Sequence, residues 1–390
     1  MKVLIGHNRY RWPGGEEAVV KTESRLLEAA GHPVQVFEAD NDKVGRRGLN
    51  NIWTAKELFW STASYRRLRE VLRAFKPDIA HFHNIYFSLT PSVYDACRDE
   101  GVAVVQSLHN FRMLCANALF FREGRVCEDC ISKSPLEGIA HRCYKGSYLA
   151  SGAVTALNQY HRWQKTWTQK VDRYITATEF TRGKYVQAGL PAAKIAVKPN
   201  VFSPDGDFVK PRGEFALYVG RLSPEKGVRN LIEAWEGLPH IPLKLVGDGP
   251  LMLQLKAEVE RMGLRHIEFL GFADAQKYKD CMQGAKFLVI PSACYENFPR
   301  ITVEAFAFGL PVLASRLGSL QEIVTEGQTG YLFDPTNTEE LRAQAQRMWQ
   351  MDLGSMSQTV RDVFQQRYSP AINLRQLLDI YTQAKEGRSA

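Results

Sequence analysis

Long apolar runs are missing from this 390-residue chain. No stretch approaches the roughly 18 consecutive apolar residues of a membrane-spanning helix, so none is expected to cross a bilayer. No secretory leader is visible, because Lys2 runs directly into the short strand-like run KVLIG. Cysteine is modest, seven residues and an odd number, which makes a reducing cytosol the default compartment. Internal repeats and low-complexity tracts are also lacking. Acidic charge is short in one half only. Residues 1–200 carry 29 Lys and Arg against 19 Asp and Glu, whereas the remainder carries 21 against 23, within a net charge of +8. A basic half suits nucleic acid, an anionic bilayer or a phosphorylated substrate, or serves solubility alone.

What is present is length enough for two domains with separate cores. Lys2–Gly6 reads as a strand, His7–Gly15 as a loop, Glu16–Ala30 as a helix closed by Gly31, and Pro33–Phe37 as a second strand. This strand-loop-helix-strand unit begins a parallel sheet covered by helices. Gly14 and Gly15 stand just before the helix, where a glycine pair admits a ligand close to backbone and the helix start favours anions, or where a simple turn is made. Residues 40–56 read as a polar loop. A helix over about Thr62–Phe75 carries Arg66, Arg67, Arg69 and Arg73, a pattern that suits either an acidic membrane surface or plain solvation. Ile79–His83 is the next strand. Its His81 and His83 share one side, which fits packing with hydrogen bonds better than metal binding, since no acid or cysteine is near in sequence. The strand Val102–Ser107 delivers His109 and Asn110 to the end where open parallel sheets bind ligands, with Arg112 close behind.

Cysteines then cluster: Cys115, the knuckle Cys127-Glu-Asp-Cys130, and Cys143. The C-x2-C spacing suits structural zinc; unlinked thiols and disulfides are the other readings. Residues 145–170 read as a helix or broken helix with Tyr160, Trp163 and Trp167. The polar piece from Asn200 to Gly206 links to a second domain that restarts the pattern. There Phe215–Val219 ends in Gly220-Arg221-Leu-Ser-Pro-Glu-Lys226-Gly227, placing two cations beyond a strand and beside a helix start, which suits a diphosphate or is a plain surface pair. A later apolar strand, Phe287–Ile290, leads through a polar turn to a helix from about Pro299 to Phe308, with Glu296 in the turn and Glu304 inside the helix.

That last stretch, S-x-x-Y-E-N-F-P-R before G-L-P-V-L-A-S, resembles the E-x7-E element of retaining glycosyltransferases of family 4. The G-R-x-x-x-x-K-G run at 220–227 and the histidine at 109 resemble that family as well, and the likeness extends over nearly the whole chain. It implies an α/β fold of the GT-B type, two Rossmann-like doubly wound domains facing across a deep cleft. The expected boundaries are 1–200, with a cysteine-rich insertion at 115–143, then 201–365, then a C-terminal helix at 366–390 that crosses back to the first domain. The resemblance further implies that Arg221 and Lys226 hold a nucleotide diphosphate and that backbone around Phe272 borders the base. Glu304 would take the ribose. Glu296 with Asn297 and Phe298 would take the sugar, and His109 would face the sugar from the other domain. Gly14 and Gly15 would lie beside donor and acceptor.

Two departures from the family pattern stand out. Asn297 and Pro299 occupy positions where many members have glycine, and Pro299 has no N–H to donate. Arg300 adds a further cationic contact. The four-cysteine insertion occurs in a subset of the family only. No D-x-D pair sits where a metal would grip a diphosphate, so the expected chemistry is a metal-free retaining transfer from a UDP- or GDP-sugar. The expected acceptor is a glycan or polyprenyl-linked molecule in surface-polysaccharide synthesis, at the inner face of the cell membrane. Structural zinc is the one inorganic component expected, and nucleic acid is not an expected partner. Two other readings are a sugar-nucleotide-binding protein without transferase activity and a zinc-containing nucleic-acid-binding protein; the latter leaves Arg221, Lys226, Glu296 and Glu304 unexplained.

Overall fold

The computed structural model describes residues 1–9, 14–40, 52–204 and 213–389. Positions 41–51 of the expected polar loop, 10–13 of the first loop and 205–206 of the link lie outside the described residues. The chain forms two compact units. The first comprises residues 1–118, 129–203 and 370–390, and the second comprises 119–128 and 204–369.

The first unit is built on β1 (Val3–Arg9), β2 (Val34–Asp40), β3 (Ile79–Phe82), β4 (Ala103–Ser107), β7 (Arg173–Thr176) and β8 (Ile195–Val197). The two short strands between, β5 (Phe121–Arg122) and β6 (Arg125–Val126), form a separate antiparallel hairpin. The six strands pair in parallel in the order β2-β1-β3-β4-β7-β8. Their apolar runs are buried on both faces, as Val3, Leu4 and Ile5 show, which is why they read as near-continuous rather than alternating hydrophobics. Gly6 is required by packing, since a Cβ there would lie 2.3 Å from the Phe82 ring. The order reverses between β1 and β3, and such a reversal opens a crevice at the carboxyl ends of the strands.

The C-terminal helix Pro370–Ser389 belongs to this unit, as expected. Its Leu377, Ile380, Tyr381 and Ala384 join Val3, Ile5, Ile79, Val105 and Ile175 in one core. Each of its larger apolar side chains contributes on the order of 1.5–3 kcal/mol by burial. The boundary falls at residue 370 rather than 366, because Phe364 and Tyr368 are buried in the second unit, Tyr368 against Phe306 at 6.4 Å. The basic helix is Thr62–Phe75, capped by the Ser61 side chain accepting from Ser64 N–H at 3.2 Å. Its arginines are largely used within the unit. Arg69 and Arg73 both reach Glu100, at 2.6 and 2.9 Å, and Arg67 lies 4.5 Å over the Phe37 ring.

The second unit holds β9 (Phe215–Val219), β10 (Leu243–Val246), β11 (Ile267–Gly271), β12 (Ala285–Ile290), β13 (Val312–Ser315) and β14 (Gly330–Phe333). These too are all parallel, in the order β11-β10-β9-β12-β13-β14. Here the reversal lies between β9 and β12. The helix Val228–Glu236 after β9 buries Val228, Leu231, Ile232 and Trp235. The helix Arg300–Ala307 after β12 starts behind Pro299, which is tolerated there because the first helical N–H groups have no intrahelical partner. The Leu119–Glu128 hairpin clusters with this unit, against the expectation that the whole insertion belongs to the first domain. The cause is Phe120, fully buried with its ring edge-on to Tyr295 at 6.2 Å.

Candidate functional site

At the β9/β12 reversal of the second unit lies a cavity of about 250 Å³ whose walls include Gly220, Arg221, Lys226, Ser292, Glu296 and Phe298. The strand ends β9 and β12 set these residues side by side although they are some 70 positions apart. Gly227 makes the turn possible. Its φ is +67° and a Cβ there would meet the Pro291 carbonyl oxygen at 1.8 Å. Lys226 Nζ donates to Glu296 Oε1 at 2.7 Å, and Ser292 Oγ donates to the same oxygen. Burial works against the Lys226 charge, but Glu296 outweighs it and raises the ammonium above its ordinary value. Arg221 bonds to Glu225 and, at 3.2 Å, to Ser223 Oγ, yet remains 62% exposed. Burial pushes the Glu225 carboxyl up, while hydrogen bonds from Ser223 and Arg221 hold it below the usual carboxylate range. The structure thus brings together Arg221, Lys226 and Glu296, with Phe298 and Arg300 on the same cavity wall.

Glu304 lies inward on the helix Arg300–Ala307, buried, where the sequence left its direction open. Arg300 Nε donates to its Oε1 at 2.6 Å and the Tyr278 hydroxyl donates to Oε2. Burial and the Glu304 charge keep the Tyr278 phenol well above its ordinary range. Any diol that reaches this carboxylate has to share it with Arg300 and Tyr278, and Tyr278 carried no signal in sequence. Phe272 stands one residue past β11 and is 86% exposed. The Asn297 carbonyl accepts from Ser319 Oγ at 3.1 Å, which fixes the turn between the two glutamates.

In the first unit, His109 follows β4 and lines a small cavity with His83, Asn84, Asn110 and Arg112. Arg112 also donates to the Ala116 carbonyl at 2.8 Å and lies over the Tyr144 ring. Asn110 donates to Glu16 Oε1 at 3.0 Å, which ties the His109 loop to the first turn of the helix that Gly14 and Gly15 begin. Gly14 N–H donates in turn to Glu17 at 2.8 Å.

Beneath His109 runs a buried chain of polar groups. His109 Nε2 and His83 Nδ1 are 2.8 Å apart, His83 Nε2 lies 3.5 Å from Glu23 Oε2, and Lys198 Nζ donates to Glu23 Oε1 at 2.7 Å. Lys198 also donates to Asn373 Oδ1 of the C-terminal helix at 2.9 Å. Burial pushes the Glu23 carboxyl up, but the Lys198 ammonium pulls it below its ordinary value, so it is ionised. No hydrogen bond joins His83 Nε2 to Glu23, but the charge of the nearby ionised carboxylate favours the His83 tautomer with its proton on Nε2. His83 Nδ1 is then an acceptor, His109 Nε2 is the donor, and His109 Nδ1 is left as an acceptor. Glu23, His81 and His83 form a triad of the kind that holds metals, in which Glu23 Oε2 and His83 Nε2 have no hydrogen-bond partner among the described residues. Lys198 supplies the cation, and both His81 nitrogens are hydrogen-bonded, to Tyr381 and Ser107 at 2.8 Å each. Hydrogen-bonded packing thus describes His81, whereas His83 stands beside an acid, Glu23, that sequence distance concealed.

Burial lowers His109 to about 3 and His81 to about 4. Both are neutral in the folded protein at pH values where the unfolded chain, with histidine near 6.5, takes up protons. Stability is therefore expected to fall as pH drops from 6.5 toward 4, by up to roughly 1.4 kcal/mol per pH unit for each such histidine. Thermal melting at pH 7.5 and 5.0 checks this; equal midpoints would contradict the buried neutral pair.

None of the seven cysteines, all among the described residues, is in a disulfide. Within the first unit Cys115 and Cys130 are hydrogen-bonded. That bond, burial and the neighbouring Cys143 together push the Cys130 thiol up. Cys127 lies in the hairpin that clusters with the second unit. Three of the four cysteines thus meet within one unit, and the disulfide reading is not realised.

Residues 13–205 match the family model described as Glycosyltransferase Family 4, and residues 206–359 match that of Glycosyl transferases group 1. An uncharacterized glycosyltransferase of Methanocaldococcus jannaschii is 36% identical over 246 residues, which is 62% of this chain and 64% of that protein. A lipopolysaccharide 1,2-N-acetylglucosaminetransferase of Salmonella typhimurium is 31% identical over 196 residues, 43% of this chain and 51% of that protein. The chain spans less than two thirds of the length of either curated relative. Among solved structures, Anabaena Alr3699/HepE in complex with UDP-glucose superposes with a TM-score of 0.65 over 98% of this chain and 100% of that one, at 18% identity. At that identity the likeness speaks for the fold alone.

Proposed function

We propose that this chain, a glycosyltransferase with the α/β GT-B fold, is a retaining enzyme that moves a sugar from a UDP- or GDP-sugar to a glycan or polyprenyl-linked acceptor in surface-polysaccharide synthesis. The observation that carries the reading is the crevice at β9/β12, where Arg221 and Lys226 stand with Glu296 at the ligand end of a parallel sheet. Two cations there suit a diphosphate, and the UDP-glucose held by the Anabaena neighbour is a donor of that class. The lipopolysaccharide transferase among the relatives supports an acceptor of the glycan or glycolipid kind.

In the proposed reaction the bond between the sugar's anomeric carbon and the diphosphate oxygen breaks, and the acceptor oxygen bonds to the same face of that carbon. The acceptor's proton passes to the departing phosphate. Arg221 and Lys226 stabilise the negative charge as it grows, which lowers the barrier rather than only tightening the ground state. That role falls to them rather than to a metal. Glu296, with Asn297 and Phe298, is assigned to the sugar hydroxyls, Glu304 to the ribose and the backbone around Phe272 to the base. Gly14 and Gly15 leave room for ligand beside the first helix. His109 is assigned to the sugar. It is neutral, and its Nδ1 accepts a hydrogen bond from a hydroxyl, while the Glu23–His83 pair favours that tautomer. The proposed domains are 1–118 with 129–203 and 370–390, which bear the acceptor side, and 119–128 with 204–369, which bear the donor.

The test is a panel of labelled UDP- and GDP-sugars, read for binding and for slow hydrolysis. Binding with hydrolysis is expected for one nucleotide series. Binding with neither hydrolysis nor transfer to added acceptors would leave a sugar-nucleotide-binding protein, and no binding at all would sink the reading.

The cysteines are proposed to hold structural zinc through Cys115, Cys127, Cys130 and Cys143. The clustered thiols, with Cys130 pushed up by its neighbours, form a soft donor set whose mutual cost a dication relieves. Protein purified without chelator is expected to carry about one zinc per chain by elemental analysis; a zinc-free preparation that is fully folded would reject it. No described helix is long and apolar enough to cross a membrane. The proposed place of action is the cytoplasmic side of the cell membrane, in peripheral contact with anionic lipid.

A further inference from the structure

The helix Tyr148–Trp163 has two unlike faces. One face carries Ser151, Val154, Thr155, Leu157, Asn158 and His161, all buried in the first unit. The other carries Leu149, Ala153, Ala156, Tyr160 and Trp163, which at about 100° per residue fall within one stripe roughly 80° wide. This stripe is open to solvent. Leu149 is 75% exposed and Trp163 76%, with Tyr148 at 58% and Leu136 at 64% beside it. Of the nine large apolar side chains that the described structure exposes, five lie between residues 136 and 163. Scattered single exposures are ordinary, but a contiguous set on one helix marks a contact surface.

Charge says what that surface meets. From Lys133 to Lys165 the chain has five Lys and Arg and one acid, Glu137. Exposed Lys145 and Arg142, the latter over the Tyr148 ring, precede the stripe and exposed Lys165 follows it, while Arg162 is turned to the Ala188 carbonyl. The aromatic members are Tyr and Trp, which settle at a boundary between water and hydrocarbon because one end of the ring is polar. A second protein copy would bring the same cations against themselves. An anionic bilayer brings complementary charge to the rim and hydrocarbon to the stripe.

We infer that the exposed face of the helix Tyr148–Trp163 is a docking surface for an anionic membrane, with Leu149, Tyr160 and Trp163 entering the lipid interface and Lys145 and Lys165 meeting head groups. This rests on the peripheral-membrane part of the reading above and replaces as the contact site the basic helix Thr62–Phe75, whose Arg67, Arg69 and Arg73 are engaged with Phe37 and Glu100.

The test is co-sedimentation of the full chain with vesicles of phosphatidylcholine alone and of phosphatidylcholine with about one third phosphatidylglycerol, at low and high salt. Wild type is expected on the anionic vesicles and to be partly released at high salt. Leu149→Asp with Trp163→Asp is expected to lose binding at least about 10-fold, since carboxylates would have to enter the interface. Lys145→Glu with Lys165→Glu should lose binding to anionic vesicles and the salt response together. All the substituted side chains are exposed, and matching thermal midpoints will show that the variants fold. Failure of wild type to bind, or unchanged binding by the Leu149/Trp163 variant, would overturn the inference. So would a wild-type dimer that the same variant dissociates. Nucleotide-sugar binding measured in parallel reports on the proposed reaction separately, so either can fail alone.

Discussion

Lys226→Ala is expected to weaken UDP- or GDP-sugar binding about 10- to 100-fold, the effect of losing one charge-assisted hydrogen bond to a phosphate, about 1.5–3 kcal/mol. The side chain is 30% exposed and sits in the β9/β12 cavity, so the ligand can reach it. Its present partner is Glu296, at 2.7 Å. Removing the lysine therefore also leaves a carboxylate, 14% exposed, facing the incoming diphosphate without its counter-charge, which adds repulsion in the same direction. Glu296→Gln separates the two effects. It keeps a polar partner for Ser292 and frees Lys226 for phosphate, so nucleotide affinity should hold or rise. Turnover should fall, because the group assigned to the sugar hydroxyls is changed. Calorimetry with the free nucleotides and with the sugar nucleotides measures both variants. Fold loss is not expected, since Lys226 lies in the short turn before the helix Val228–Glu236 rather than in its core. An unchanged dissociation constant for Lys226→Ala would remove the diphosphate from this cavity.

The residues of that cavity were legible because each lies within a few positions of a strand end that an apolar run announces. Phe215–Val219 and the strand ending at Ile290 are recognisable one at a time, and parallel topology brings their ends together. The same local logic places His109. What was not legible depends on contacts between distant segments. Glu23 lies on the first helix, 175 residues from Lys198, and nothing near either one marks it as half of a buried ion pair. The arginines of Thr62–Phe75 look like a free basic face until Glu100 is seen beneath them, 27 to 31 residues on. Trp163 and Trp167 look alike in a segment read as one helix or a broken one. The chain in fact breaks at Lys165, with φ of +53°, so that Trp163 faces out at 76% exposure and Trp167 turns in at 6%. Phe120 likewise draws its hairpin to the second unit from within an insertion that sequence order assigns to the first.

His109→Ala is expected to lower kcat by about 10²-fold or more, the scale of a positioned side chain that acts in the transition state. Affinity for the free nucleotide should barely change, because the residues assigned to base, ribose and diphosphate all belong to the second unit, whereas His109 belongs to the first. This split in effect distinguishes it from Lys226→Ala, where nucleotide binding falls as well. The physical basis is the buried chain from Lys198 through Glu23 and His83. Burial holds the imidazole neutral, and the chain favours one tautomer, in which Nδ1 can accept a hydrogen bond without first losing a proton. His83→Ala tests that support directly. It leaves His109 in place but removes the acceptor for its Nε2–H, so the ring is free to change tautomer, and turnover should fall by a smaller factor, on the order of 10-fold. Because burial holds His109 to about 3, turnover should show no acid limb from this group between pH 5 and 8. Single-turnover kinetics beside nucleotide calorimetry gives both quantities for each variant. If His109→Ala weakened nucleotide binding as much as turnover, or left turnover intact, His109 would not act on the sugar. The Glu23–His83 chain would then be a structural network of the first unit alone.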